Sequence, residues 1–164
     1  MSSPSASPGA RLRSLWRTLS PLPGGRWLFT RILGFTVPYT GRLGARVVGF
    51  EPGHVVVELR ERRAVRNHLA SVHAMALANA AELATGLAML GALPPTVRGI
   101  LTGFEIDFQK KARGRLLAES RCSVPEVTED AEYLAAATIT DTDGDVVATA
   151  RAKWRLGPVP TSTS

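Results

Sequence analysis

Between residues 72 and 95 the sequence carries one fully charged side chain, Glu82. Ser71 is a suitable N-cap, and Gly91 with Pro94-Pro95 is a stop, so the sequence predicts a helix over about 72–91. Ala76, Ala80, Leu83, Leu87 and Leu90 form one stripe, and the other faces are mostly Ala and Gly. A helix at a protein surface keeps a charged face, so one that is apolar all round must be buried. His73, Asn79 and Glu82 inside the segment argue against a bilayer as the burying medium. The rest of the chain therefore has to wrap this helix.

The wrapping material is strand-like. Residues 44–50 and 54–61 flank the turn Glu51-Pro52-Gly53 and read as an antiparallel hairpin. After the helix, 98–109 contains Phe104-Glu105-Ile106-Asp107-Phe108, which alternates with period two. Further strands are expected at 115–124 and 132–141. The run 145–156 is expected to pair back through Thr142-Asp143-Gly144, an Asp-Gly step typical of hairpins. The order is two strands, one helix and four strands, an α+β class with an antiparallel sheet around one long central helix.

The 164 residues suit one domain, and 45% hydrophobic content is ordinary for a globular chain. One cysteine, Cys122, excludes an internal disulfide framework and is read as a core residue. Three histidines at 54, 68 and 73 do not have the spacing of a zinc helix, so no metal and no cofactor are expected. The net charge of +6 is lopsided: residues 1–50 hold seven arginines and no acid, and the remainder holds 13 basic against 14 acidic residues. The basic character belongs to the N-terminal region, where Leu12, Leu15, Trp16 and Leu19 and then Trp27, Leu28, Ile32 and Phe35 lie at helical spacing. Two short amphipathic helices, 11–19 and 26–35, follow from this, separated by Pro21-Leu22-Pro23-Gly24-Gly25. Such an arm either caps the core or rests on an anionic membrane surface. Its Pro-Gly-Gly break makes a poor helix-turn-helix, and the folded body lacks a basic stripe, so no nucleic-acid partner is expected.

The run Asn67-His68-Leu69-Ala70-Ser71-Val72-His73, with Glu82 nine residues after His73, resembles the hotdog-fold thioesterase superfamily, in particular its phenylacetate-type acyl-CoA thioesterases. Ala112-Arg113-Gly114 with Leu116, Ala118 and Glu119 is similar to a strand connection of that family, and Asp141 to Ala148 to its last hairpin. The whole pattern is closest to an uncharacterised bacterial subgroup, a domain of unknown function. The Ser/Pro-rich residues 1–10 are expected to form a disordered tail, 11–39 a basic helical arm and 157–164 a second disordered tail, and the resemblance implies a hotdog domain over 40–156.

Nine helical residues rise about 13 Å and turn through about 900°, so His73 and Glu82 of one chain point to opposite sides. Two chains with antiparallel central helices would bring them together, which implies a homodimer or a tetramer of dimers. The resemblance then assigns catalytic roles to Glu82, Asn67, His73 and Ala74. The backbone N–H near Ala74 would polarise a thioester carbonyl, Glu82 of the partner subunit would act as base or nucleophile, Asn67 would orient a reactant and His73 would shape the helix start. Asn79, Lys110, Lys111 and Arg113 are the expected substrate-binding residues, the cations facing coenzyme A phosphates. The family's Gly-Gly after the histidine is Ala74-Met75 here, which narrows the approach to the carbonyl. The expected activity is acyl-CoA hydrolysis by a cytoplasmic protein, with a peripheral contact at the inner membrane face through the arm. The alternatives are a non-catalytic acyl-CoA or lipid binder, and a hotdog dehydratase or hydratase.

Overall fold

A computed structural model describes residues 7–124 and 126–160. Three helices come first: α1 (Pro8–Leu19), α2 (Gly25–Thr36) and α3 (Pro38–Leu43). Then follow β1 (Arg46–Glu51), β2 (His54–Arg60), a single 3₁₀ turn (Arg63–Val65) and the central α4 (Ala74–Ala92). The chain ends in β3 (Val97–Phe108), β4 (Arg115–Arg121), β5 (Ala131–Thr140) and β6 (Val146–Pro158). All six strands form one antiparallel sheet in the order β1-β2-β4-β5-β6-β3.

The register shows why α4 fits. Val47, Val57, Ala118, Ile139 and Ala148 pair in turn across five neighbouring strands, and all five are buried. The two alanines in that row leave room for the helix, whose inward face is itself rich in Ala76, Ala80, Ala81 and Ala84. Small side chains on both surfaces bring helix and sheet close, and close packing maximises dispersion contact. The same row ends at Phe108, paired with Ala148 on the open edge strand β3 and half exposed.

The N-terminal arm belongs to this core. Phe29 is fully buried, with Trp16 edge-on at 5.0 Å between ring centroids and Phe50 of β1 beside both. Arg13 donates to the carbonyl of Gly91 at 2.6 Å, satisfying one of the orphan carbonyls at the end of α4. Two side chains of α2 also bond the outer edge of β1: Val47 N–H donates to Thr30 Oγ1 at 3.1 Å, and Arg26 donates to the Val48 carbonyl at 2.9 Å. Helices α2 and α3 meet backbone to backbone. A Cβ on Gly41 would lie 2.6 Å from the Gly34 carbonyl oxygen, so neither glycine can be exchanged without prising the pair apart.

Several boundaries differ from the sequence reading. Helix α1 starts at Pro8, capped by Ser7, so only residues 1–6 of the expected tail lie outside the described residues. Strand β6 runs on to Pro158, and Val159 N–H bonds the Thr96 carbonyl, so residues 157–159 are held where a disordered tail was expected; residues 161–164 lie outside the described ones. Helix α3 bridges the expected boundary at 39/40 and has no counterpart in the sequence reading. The cap of α4 is His73 rather than Ser71, because Val72 is drawn into a bridge with Arg66 and stays extended.

Candidate functional site

The loop before α4 is built around Asn67. Its Oδ1 accepts from the N–H of Leu69, the N–H of Ser71 and the Ser71 hydroxyl, while its own backbone N–H donates to the Ser71 carbonyl. An Asn side chain that imitates backbone in this way fixes a turn. The turn forces Ala70 to a φ of 51°, the only non-glycine residue among those described with a left-handed backbone. Arg113 donates to the Ala70 carbonyl and clamps it from the neighbouring connection. Glu61 completes the clasp by accepting from Gly114 N–H and from Arg66, and those two donors hold its pKa below the ordinary glutamate range. With Oδ1 occupied three times, Asn67 has only its Nδ2 left for a reactant.

His73 then starts the helix. Its Nδ1 accepts the Met75 N–H at 3.0 Å, so the neutral ring carries its proton on Nε2. The His73 carbonyl takes the N–H groups of Ala76 and Leu77. Among the described residues nothing accepts the Ala74 N–H. One backbone donor is thus left over at the positive end of a buried 19-residue helix. The neighbouring residues His73, Met75 and Ala76 line a hollow of about 280 Å³, with Tyr39, Arg66 and Asn79 on its other walls.

Asn79, one turn on, points to the arm. Its Nδ2 donates to Thr40 of α3 at 3.4 Å, and its Oδ1 is buried with no partner among the described residues. Beyond Thr40 lies a second cavity of about 570 Å³, walled by α1, α2, α4 and Trp154 of β6, and it contains Glu82. No cation or donor engages the Glu82 carboxyl among the described residues, and burial alone raises its pKa above the ordinary value. The arginine partner that a structural role would demand is absent there. Within one chain, then, the helix start at His73 and Met75 and the carboxyl of Glu82 line different hollows, in keeping with the nine-residue spacing.

The basic segment is mostly engaged elsewhere. Lys110 pairs with Asp141 at 2.7 Å and Asp145 at 2.6 Å, and these carboxylates raise its pKa further. Arg115 is held by the nearly buried Glu58, which also bonds Arg60. Arg113 serves the Ala70 carbonyl, and only Lys111 is exposed without a partner among the described residues. Sequence reasoning missed the cavity's far wall. Trp154 is the fourth buried member of the alternating set Ala148, Ala150, Ala152 and Trp154, and that alternation was the available signal.

A six-stranded antiparallel sheet around a central helix, with a free helix-start N–H and a lone half-buried carboxyl, defines a hotdog protein of the thioesterase-like superfamily. The chain belongs to the domain-of-unknown-function family DUF4442, whose profile matches residues 25–156. No functionally curated protein matches it. Among solved structures it is similar to the structural-genomics protein APC5556, at 26% identity and a TM-score of 0.80 over 92% of this chain and 100% of that one. It is also similar to the Pseudomonas aeruginosa protein of unknown function PA5026, called a probable thioesterase, at 25% identity and TM-score 0.72 over 84% and 97%. The fold of smu.793 from Streptococcus mutans, solved bound to acetyl CoA, matches at 20% identity and TM-score 0.59 over 70% and 90%.

Proposed function

We propose that this protein hydrolyses acyl thioesters of coenzyme A in sites shared by two subunits. The observation that carries this is Glu82, a carboxyl that no cation engages among the described residues, desolvated in a mostly apolar cavity. A base with a raised pKa works well near neutral pH. In the shared site Ala74 N–H receives the thioester carbonyl oxygen, and Glu82 of the partner subunit takes a proton from water as it adds to the carbonyl carbon. The tetrahedral intermediate is stabilised by the helix-start donor, then expels the thiolate, which leaves as the thiol with that proton. The products are the carboxylic acid and free coenzyme A. Asn67 acts by holding the loop that aims Ala74, and His73 by taking the Met75 N–H so that the Ala74 donor alone faces the substrate.

A second reading, a non-catalytic acyl-CoA binder, is favoured by Met75, whose exposed side chain stands where the resembling enzymes have glycine. Two measurements separate them. Purified protein releases free thiol from an acyl-CoA panel if the hydrolase reading holds, and light scattering at micromolar concentration returns a dimer or larger. Binding of acyl-CoA without thiol release selects the binder, and a folded monomer removes the shared site.

We also infer that the outer face of the arm rests on anionic lipid. Phe35 is 74% and Tyr39 73% exposed, and Arg31 lies 5.8 Å from the ring of Trp27 and 5.1 Å from that of Phe35. Aromatic rings interleaved with arginine, in a region with no acid among residues 1–50, match the charge of an acidic headgroup layer.

A further inference from the structure

Three arginines line one hollow at the joint between the arm and the edge of the sheet. Its volume is about 440 Å³, and its wall carries Arg31 of α2, Arg42 of α3 and Arg46 of β1 with no acid among the lining residues. Backbone contacts gather the three elements. Thr30 Oγ1 accepts from Val47 N–H at 3.1 Å, and Arg31 and Arg46 are the chain neighbours of those two residues. The close approach of Gly34 to Gly41 joins α2 to α3 one residue before Arg42. No carboxylate or carbonyl engages any of the three guanidinium groups among the described residues. The acid opposite Arg46 in the β1–β2 register is Glu58, and it is already taken by Arg60 and Arg115. A fourth guanidinium, that of Arg62, lies against Gly44 of the same wall and donates to the carbonyls of Arg42 and Leu43. Like charges gathered without a counter-charge repel one another, so an anion that joined them would be welcome. The remaining wall is apolar and includes Trp27 and Phe35. Trp27 is 54% exposed, and half of the large hydrophobic side chains exposed among the described residues fall within residues 22–39.

We propose that this hollow is a headgroup site for an anionic phospholipid, with the lipid phosphate among Arg31, Arg42 and Arg46 and its glycerol esters against Trp27 and Phe35. Guanidinium forks match phosphate oxygens in pairs and tolerate neighbouring aromatic rings, which an ammonium does less well. The exposed rings favour a lipid over a free phosphate, because a soluble anion gains nothing from them. A second copy of the arm is a poor occupant, since residues 1–50 hold seven arginines and no acid and would face their own charge. Glycerol phosphate needs roughly 300 Å³, counting about 30 Å³ per water-sized group, and the hollow has that room. This rests on the arm's contact with lipid proposed above and gives it a defined place. A diffuse basic surface counts charges; a site distinguishes one arginine from another and an arginine from a lysine.

The test uses the full chain and low-salt sedimentation with vesicles of phosphatidylglycerol mixed into phosphatidylcholine, against vesicles of phosphatidylcholine alone. Arg31→Lys, Arg42→Lys and Arg46→Lys keep every charge and remove the planar fork. Each is expected to weaken binding to the mixed vesicles at least fivefold, whereas Arg17→Lys, on α1 outside the hollow, stays within twofold. All four side chains are exposed, so melting points are expected to stay at the parent's and a loss of binding is not a loss of fold. Free sn-glycerol 3-phosphate and coenzyme A are expected to compete only at millimolar concentration, because neither brings acyl chains to the rings. Vesicle binding that is the same in the parent and all four variants overturns the site and leaves the diffuse contact of the arm with lipid standing. Failure of the parent to bind removes that contact and the proposal with it. Competition by either soluble phosphoester at micromolar concentration reassigns the hollow to a free phosphate and overturns the lipid assignment. A fall in assembly mass in the three hollow variants, read by light scattering without vesicles, overturns it in favour of a second copy.

Discussion

Replacing Glu82 by Gln tests the site's electrostatics and its chemistry in one variant. The carboxyl shares its cavity with Leu83, Gly86 and Trp154 and has no donor, and Arg11 of α1 is the only cation on the same wall among the described residues. Its folded-state pKa is raised above the usual value near 4.5 by loss of water. The folded protein therefore holds the proton more tightly than the unfolded chain. Below pH 4.5 both states are protonated and the group costs nothing; as pH rises through the folded pKa, stability is lost. An unpaired, half-buried polar group costs about 1–3 kcal/mol, and we take about 1 because water reaches one side of the cavity. Glu82→Gln should then melt roughly 2–4 °C higher than the parent at about pH 8, and at the same temperature at about pH 4. Thiol release from acyl-CoA should fall by about 10²–10⁴-fold, the usual worth of a positioned base. Melting curves by circular dichroism across that pH range and a thiol-trapping assay give both numbers. A melting difference that does not change with pH refutes the desolvation argument. Unchanged turnover refutes the catalytic one.

Three further outcomes follow from particular contacts. Burial pushes the pKa of Glu58 up, but the hydrogen bonds from Arg115 and Arg60 outweigh it and keep the carboxyl below its ordinary value. Arg115→Met should cost about 2–3 kcal/mol at about pH 7, read as a melting point lower by roughly 5–10 °C, with the deficit shrinking as pH falls below about 4.5 and the carboxylate is protonated. Ala70→Gly relieves a left-handed alanine and should raise stability by about 0.5–1 kcal/mol in denaturant melts, after the greater freedom of glycine in the unfolded chain is subtracted. Sedimentation with anionic vesicles should carry the protein down at low salt and release it towards about 1 M, where the Debye length is about 3 Å; failure to sediment at low salt removes the lipid contact.

The central helix was legible because a stretch with one charge can only be enclosed, and the strands because alternation survives in a half-covered sheet. Helix α3 was not legible, since Pro38 to Leu43 is six residues with a proline and a glycine, too short to show a period. Glu82 stood out as a lone acid. Its cavity did not, because the walls come from Leu12, Ile32, Leu83 and Trp154, on four elements that no local pattern connects. The same distance misled the count of free cations: Lys110 looked available until the β5–β6 turn brought Asp141 and Asp145 to it. Ser71 ranked above His73 as a cap by residue type alone, and the bridge at Val72 reversed the order.

The two margins of the sheet are not alike. At β1 the outward N–H of Val47 and carbonyl of Val48 are already taken by Thr30 and Arg26, whereas β3 presents twelve residues with no strand on its far side among the described residues. A sheet that can accept a strand on one side only is a polymer unit with a stopper: once two such margins meet about a twofold axis, nothing remains to recruit a third chain. The arm therefore closes one margin of the sheet as well as walling the cavity, and leaves β3 as the margin open to a second strand among the described residues.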